Sequence, residues 1–190
     1  DRIVIVGAGV AGVSAADALW EHGHTGSITL VSAEDRLPYD RPPLSKAALT
    51  DDPCPPDALL RPEAFYADQH VTLRLGTAVT RLDPAGGAVE LASGARLPAD
   101  SVLLCTGGRP RVLDVPGADL GGVLCGPQGQ DAARIRAALE GGVRVAVVGG
   151  GFIGTEVAAA AAARGCPVVV IEAAQLPMLR RLDDDDRAPA

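Results

Sequence analysis

The sequence predicts an α/β protein with two Rossmann-like three-layer units, each suited to a dinucleotide, and a small antiparallel β-meander. Two observations predict this fold. Residues 3–12 and 147–156 each contain a short apolar run that leads into the pattern G-x-G-x-x-G. Each pattern is followed by an alanine-rich helical stretch and a second apolar, β-branched run. One glycine pattern alone is weak evidence, whereas two complete strand–turn–helix–strand units in one chain are strong evidence.

The three glycines of this pattern have different physical tasks. The first permits a tight turn, the second lets the backbone approach a pyrophosphate, and the third lets the helix pack closely on the strand. The free N–H groups and the positive dipole end of the helix then hold the phosphates. Ordinary glycine-rich connections are the alternative at either site alone. The pair predicts a chain that binds two dinucleotides or descends from one that did.

Composition excludes several function classes. The 190 residues allow one or two domains, and the core is aliphatic because 47% of residues are hydrophobic but only 3% aromatic. The net charge of −7 argues against nucleic-acid binding, which needs a basic face. No apolar run reaches the length of a membrane span, so no membrane partner is expected. No feature specifies an oligomeric state.

The cysteines and histidines predict no metal site. None of the four cysteines forms a C-x-x-C pair, so we expect neither a disulfide framework nor a zinc site, but reduced thiols and a cytoplasmic location. The three histidines are interpreted as surface or packing residues. The cysteines are Cys54, Cys105, Cys125 and Cys166.

The first unit continues with a helix and a parallel strand. An apolar face over residues 13–20 predicts the helix, and Gly23 is its natural stop. Residues 27–31 predict a strand parallel to the first. In a dinucleotide fold, an acid after this strand binds the adenosine ribose. Glu34 is the candidate here, and a solvated loop carboxylate is the alternative.

Residues 37–46 predict a rigid, extended segment that leads into a short helix near Ser45, because prolines fix the backbone. Residues 51–62 are proline-rich and loop-like. An apolar strand over 101–105 is expected to return to the first sheet. Four short strands between turn residues predict the antiparallel meander, assigned to residues 71–75, 78–82, 88–91 and 95–97.

The second unit follows a linker over residues 110–122. Helices are predicted over 131–139 and 156–164, and a strand over 168–171 has Glu172 at its tip. A carboxylate there suits two ribose hydroxyls and repels a 2′-phosphate, which favours NADH over NADPH. A solvated strand-end glutamate is the alternative.

The predicted domains are incomplete. Residues 1–110 form the first part of one dinucleotide-binding domain, with the meander at 71–98, and residues 111–182 form the first part of another. A doubly wound domain needs more strands than the second unit provides. Residues 183–190 are expected to be a disordered acidic tail, since a run of four aspartates is more often a solvated segment than a metal site.

These motifs together resemble a known family. The order GAGVAG, PYDRPPLSK, CTGGRP, GGGFIGTE, VVVIE is similar to the N-terminal half of the FAD-dependent NADH:ferredoxin reductases. These putidaredoxin reductase-like enzymes serve cytochrome P450 and ring-hydroxylating dioxygenase systems. RPPLSK is the specific element, whereas the glycine patterns occur in many flavoenzymes. The related disulfide reductases have a redox cysteine pair after the first unit, and this chain has none there.

The resemblance implies roles for particular residues. Lys46 would lie near the redox-active edge of the flavin and Glu156 at the nicotinamide, and their counterparts in relatives can pair. These two are the predicted catalytic residues. The implied FAD-binding residues are Gly7, Gly9, Ala11, Gly12, Glu34, Arg41, Lys46, Val79, Thr106 and Gly107. The implied NAD-binding residues are Gly149, Gly151, Ile153, Gly154 and Glu172.

The implied reaction is hydride transfer from NADH to FAD, followed by two single-electron transfers to a [2Fe–2S] ferredoxin. The flavin carries the chemistry and the protein supplies placement and electrostatics, so no side-chain nucleophile or general base is expected.

The chain departs from the family at several positions. Relatives usually have an acid at Ala33, an arginine in the stretch matching 126–128, and alanine at Cys105. The second half of the family, which completes the NADH domain and adds a C-terminal domain beside the flavin, is also expected to be missing.

Three hypotheses therefore remain open. The chain is part of a ferredoxin reductase, or part of a related flavoenzyme with another acceptor such as a quinone, oxygen or a nitrite-reductase partner. Alternatively it is a degenerate, non-catalytic nucleotide-binding protein whose FAD site is eroded at Ala33 and Pro127.

Overall fold

The computed structural model describes residues 1–51, 58–126 and 129–178. The helices are α1 (Val10–Glu21), α2 (Ala47–Thr50), α3 (Glu63–Asp68), α4 (Gly129–Ala138) and α5 (Phe152–Ala163), with 3₁₀ turns at Pro42–Ser45 and Glu140–Gly142. The strands are β1 (Arg2–Val6), β2 (Ser27–Val31), β3 (Val71–Arg74), β4 (Val79–Asp83), β5 (Ala88–Leu91), β6 (Arg96–Pro98), β7 (Ser101–Leu104), β8 (Val145–Val148) and β9 (Val168–Ile171). Within these ranges, no helix is both long and apolar enough to cross a bilayer.

The described residues divide into two compact units. The first contains residues 1–40 and 58–109, and the second contains 41–51, 110–126 and 129–178. The segment 41–51 thus groups with a part of the chain that follows much later in sequence. The predicted α/β class with parallel sheets is confirmed.

A four-stranded parallel sheet forms the centre of the first unit, in the order β3-β2-β1-β7. One face is covered by α1, whose Val13 and Ala16 pack among Ile5, Leu30 and other aliphatic residues. The opposite face packs against the meander, where Val89 is fully buried. Both faces of the sheet are therefore apolar, as expected of strands that read as continuous β-branched runs.

The β-meander has three strands rather than the four predicted. Strands β4, β5 and β6 pair antiparallel, but the predicted strand at residues 71–75 pairs parallel with β2 in the main sheet. A parallel neighbour requires a crossover, and α3 supplies it immediately before β3. This helix follows Pro62 and has Glu63 in its first turn, which are ordinary helix-start signals that the loop-like reading of 51–62 obscured.

The second unit contains a two-stranded parallel sheet, β8-β9, with α5 packed on it. Leu49 is fully buried in its core cluster beside Ile135, Leu139 and Ala161. Helix α5 begins at Phe152, four residues before the predicted start at Glu156, because the helix follows the glycine-rich turn directly. The predicted tail at 183–190 lies outside the described residues.

A buried tyrosine on α3 allows the packing of the hydrophobic core of the first unit to be tested. Tyr66 is 2% exposed, and its hydroxyl has no hydrogen-bond partner among the described residues. Burial raises the pKa of Tyr66 to about 12. A raised folded-state pKa stabilises the fold below the unfolded value near 10, and this contribution is lost as the pH rises towards 12.

We therefore expect the free energy of unfolding of Tyr66→Phe at pH 7 to equal or slightly exceed that of the wild type. At pH 12 it should exceed the wild-type value by about 2 kcal/mol. Urea unfolding at pH 7, 10 and 12 measures this. Tyr39→Phe is the matched control, because the Tyr39 hydroxyl donates a hydrogen bond to Glu34 and its removal should cost about 1 kcal/mol. A destabilised Tyr66→Phe variant at pH 7 would contradict the conclusion that the Tyr66 hydroxyl is buried without a stabilising hydrogen bond.

Candidate functional site

The first glycine-rich turn joins β1 to α1. Gly7 has φ +106°, a conformation that favours glycine, and its N–H donates to the Val31 carbonyl oxygen at 2.8 Å. A Cβ on Gly12 would lie closer than 3.0 Å to the Gly7 carbonyl oxygen, so the helix begins in direct contact with the turn. Gly7 and Gly12 are therefore required by the turn itself.

The second glycine-rich turn, between β8 and α5, has the same geometry. Gly149 also has φ +106°, and its N–H donates to the Ile171 carbonyl oxygen at 2.8 Å. A Cβ on Gly154 would clash with the Gly149 carbonyl oxygen in the same way. The duplication seen in sequence thus extends to the backbone.

The middle glycines face open space. Apart from the chain neighbours, no heavy atom of the described residues lies within 4 Å of where a Cβ would stand on Gly9 or Gly151. Each residue precedes a 12-residue helix, and neither helix has a side-chain cap on its first N–H groups. An open approach to unsatisfied N–H groups at the positive end of a helix fits a pyrophosphate.

The carboxyl end of β7 lies beside the first turn. A Cβ on Gly7 would contact the Cys105 carbonyl oxygen and the Thr106 Cα. The sheet order reverses between β1 and β7, and ligands of open α/β sheets bind at such a switch point. The structure therefore brings Gly7, Gly9, Gly12 and Thr106 to one edge, with Gly107 next in the chain at φ +65°.

Glu34 lies after β2 and is held by its neighbours. Its N–H donates to Ser32 Oγ at 3.1 Å, and its Oε2 accepts a 2.6 Å hydrogen bond from the Tyr39 hydroxyl. Ala33, where the resemblance implied an acid, is exposed and offers no carboxylate. Glu34 stays the predicted ribose ligand, and Tyr39 is a contact that the sequence did not reveal.

Glu172 is bound to the second glycine-rich turn. Its Oε2 accepts the Gly150 N–H at 2.6 Å, and its Oε1 accepts the Ala174 N–H at 2.9 Å. A Cβ on Gly150 would stand 3.2 Å from Glu172 Oε2 and 3.2 Å from Pro177 Cβ. The carboxylate is therefore fixed beside the turn, and its predicted role at the ribose stays a prediction.

Lys46 and Glu156 form an ion pair within the second unit. Lys46 Nζ lies 3.4 Å from Glu156 Oε1. The pairing that the resemblance implied is thus confirmed, whereas the catalytic role of the two residues stays a prediction. Ser45 Oγ donates to Glu156 Oε2 at 2.5 Å, and this residue was missed in the sequence. Its place beside Lys46 in RPPLSK was the available signal.

Two arginines hold the segment that carries Lys46. Arg136 donates to the carbonyl oxygens of Ala48 and Asp51, and Arg164 donates to that of Leu49. These acceptors lie at the C-terminal end of α2, where four carbonyls have no partner within the helix. Cations at this end also stabilise the helix dipole. Helix α2 is therefore tied to α4 and α5.

The other predicted ligands occupy ordinary positions. Arg41 precedes the 3₁₀ turn and is exposed, and Val79 is half-buried at the start of β4. Ala11 and Ile153 lie in the first turns of α1 and α5. Pro127 lies outside the described residues.

Two turns of one design, each with an open middle glycine at a helix N-terminus, define the protein as one with two dinucleotide-binding units. The family model "Pyridine nucleotide-disulphide oxidoreductase" matches residues 1–189, and the chain belongs to this family.

Similar proteins are named as reductases. The chain is 44% identical to rhodocoxin reductase of Rhodococcus erythropolis, over 95% of this chain and 42% of that protein. It is 43% identical to the ferredoxin–NAD(+) reductase component of the p-cumate 2,3-dioxygenase system of Pseudomonas putida, over 96% and 45% respectively.

Solved structures agree with these matches. A ferredoxin reductase for the CYP199A2 system of Rhodopseudomonas palustris has a TM-score of 0.92 at 38% identity, over 97% of this chain and 46% of that one. The covalent putidaredoxin reductase–putidaredoxin complex has a TM-score of 0.84 at 37% identity, over 95% and 44%. The chain thus spans less than half the length of the relatives it matches.

Proposed function

We propose that this chain is the nucleotide-binding part of a flavoprotein oxidoreductase that passes electrons from NADH through FAD to a [2Fe–2S] ferredoxin. The observation that carries the proposal is the pair of glycine-rich turns, identical in backbone design and both open at the middle glycine. An electron path from a nicotinamide to a flavin needs two dinucleotide sites, and the chain provides two.

The first unit is the proposed FAD site. Gly7, Gly9 and Gly12 shape the turn that receives the pyrophosphate, and the N–H groups at the start of α1 bind it. Glu34 accepts a ribose hydroxyl. Thr106 belongs to the same edge because β7 is the neighbour of β1. The remaining proposed contacts within this unit are Ala11, Val79 and Gly107.

The second unit is the proposed NADH site. Gly149, Gly151 and Gly154 repeat the first turn, and Ile153 lies just before Gly154 in the first turn of α5. Glu172 lies beside this turn with its carboxylate fixed by two backbone N–H groups. A fixed negative charge there accepts the ribose hydroxyls of NADH and repels the 2′-phosphate of NADPH.

Lys46 and Glu156 are the proposed catalytic pair. When bound, FAD accepts a hydride from NADH and releases the electrons singly. The Lys46 ammonium provides a positive charge, and Glu156 balances that charge when a cofactor displaces water from it. In the proposed holoenzyme, the pair would orient the reacting rings and set the local field without itself exchanging a proton.

The relatives support ferredoxin as the acceptor and also favour one alternative. Several are named as ferredoxin reductases of dioxygenase systems, and one solved relative is bound to putidaredoxin. A protein of Pseudomonas putida that is 42% identical is named rubredoxin–NAD(+) reductase, so a rubredoxin is the second candidate. Whether a P450 or a ring-hydroxylating oxygenase receives the electrons depends on that partner.

The test is spectroscopic. The full-length protein should be yellow, absorb at about 450 nm and bleach when NADH is added without oxygen, with NADPH much slower. Reduction rates with a [2Fe–2S] ferredoxin, a rubredoxin and a quinone then distinguish the acceptors. A full-length protein that takes up no flavin would instead support the degenerate nucleotide-binding protein.

A further inference from the structure

Ser45 is a buried polar residue with no assigned task. It is 5% exposed and lies at the end of the 3₁₀ turn that precedes Lys46. Buried hydroxyls are almost always hydrogen-bonded, because an unpaired one costs about 1–3 kcal/mol. The hydrogen-bond acceptor of the Ser45 hydroxyl therefore indicates the role of this residue.

The hydroxyl of Ser45 is directed to Glu156. A serine has one hydrogen to donate, and two acceptors lie near it. The Pro42 carbonyl oxygen is 3.5 Å from Ser45 Oγ, whereas Glu156 Oε2 is 2.5 Å away. Hydrogen bonds to a carboxylate are shorter and stronger than those to a neutral carbonyl, so Glu156 receives the hydrogen.

Lys46 and Ser45 bind different oxygens of the same carboxylate. Glu156 Oε1 faces Lys46 Nζ at 3.4 Å, and Oε2 faces Ser45. The lysine side chain is 57% exposed and has many rotamers, so its charge attracts the carboxylate without fixing its rotation. Ser45 has one side-chain torsion and is buried. It is the group that can set the orientation of Glu156.

The backbone that carries Ser45 is itself fixed. Pro42 and Pro43 restrict the turn before it, and Leu44 is buried. Leu49, one turn after Lys46, is fully buried in the core of the second unit. A short, buried side chain on such a segment holds its hydrogen bond in one geometry.

We propose that Ser45 is a positioning residue that fixes the Glu156 carboxylate, so that Lys46 and Glu156 present a single arrangement to the nicotinamide. This inference rests on the proposed function of the pair. Ser45 acts through Glu156 and does not contact the reacting atoms.

The test uses the FAD-loaded, full-length protein and stopped-flow reduction by NADH. Ser45→Ala and the near-isosteric Ser45→Cys, whose thiol is a weak donor, should each slow flavin reduction about tenfold with little change in NADH affinity. Thr50→Ala is the matched control. The Thr50 hydroxyl contacts Lys46 O and Asp51 Oδ1 instead of Glu156. The flavin of the Thr50→Ala protein should therefore be reduced at the wild-type rate.

A double-mutant cycle separates positioning from a general structural effect. If Ser45 acts through Glu156, then Ser45→Ala should slow the Glu156→Ala protein, which has no acceptor for the Ser45 hydroxyl, less than twofold further. Equal slowing in both backgrounds would overturn the inference, and so would a wild-type rate in either folded, flavin-loaded Ser45 variant. A wild-type rate for Glu156→Ala would instead refute the catalytic pair of the proposed function.

Discussion

A Gly12→Ala variant is expected to lose the first dinucleotide site and much of the stability of the first unit. The new Cβ would stand closer than 3.0 Å to the Gly7 carbonyl oxygen and 3.3 Å from Leu30 Cδ1. The clash is with backbone in a turn that Gly7 already fixes through its bond to Val31, so α1 must move away from β1. We expect a loss of about 3 kcal/mol in unfolding free energy, with little FAD bound to the purified protein.

Gly9→Ala distinguishes the effect on the stability of the turn from the effect on flavin binding. Gly9 has φ −80°, and beyond its chain neighbours no heavy atom in the part of the chain that the structure describes lies within 4 Å of its added Cβ, so this variant should fold with a loss of at most about 1 kcal/mol. Its flavin content should nevertheless fall, because the methyl group occupies the open approach to the helix N-terminus. Chemical denaturation and flavin absorbance measure the two effects. A Gly12→Ala protein as stable as the wild type would contradict the turn geometry.

The local signals in this sequence were sufficient for most elements of the fold. Both glycine patterns lie at strand-to-helix turns, and β2, β5 and β9 have the predicted bounds. The strand at 71–75 was assigned to the wrong sheet because strand pairing depends on the crossover, and a short apolar run has the same pattern in a meander as in a parallel sheet. Recognising α3 first would have placed it correctly.

The parts of the candidate site that a local motif determines, such as the glycine-rich turns, could be predicted from the sequence. The contacts between segments distant in sequence could not. The Lys46–Glu156 pair was expected only because the chain resembles a family. The hydrogen bond from Ser45 to Glu156 joins residues 111 positions apart, and no local pattern encodes such a contact. The same limit hid the grouping of residues 41–51 with the second unit, which depends on the burial of Leu49, on Arg136 of α4 and on Arg164 just after α5.

Glu172→Ala is expected to raise the KM for NADH about 10- to 100-fold in the FAD-loaded, full-length protein. The change removes a charged acceptor for the ribose hydroxyls, worth about 1.5–3 kcal/mol per hydrogen bond, and releases the Gly150 N–H that the carboxylate now binds. The loss of negative charge also removes the repulsion of a 2′-phosphate. The ratio of the KM for NADPH to the KM for NADH should therefore fall by a larger factor than the rise in the KM for NADH alone.

Glu172→Gln distinguishes charge from shape. The amide oxygen can accept the N–H of Gly150 or of Ala174 but not both, since the other end of the group is a donor. This variant should keep a nearly native turn and still lose most of the discrimination between the two cofactors. Glu63→Gln makes the same charge change at an exposed position on α3 and should alter neither KM. Steady-state kinetics with both cofactors decide the matter. If Glu172→Gln discriminates as the wild type does, the carboxylate orders the turn without contacting the ribose, and cofactor choice must reside elsewhere.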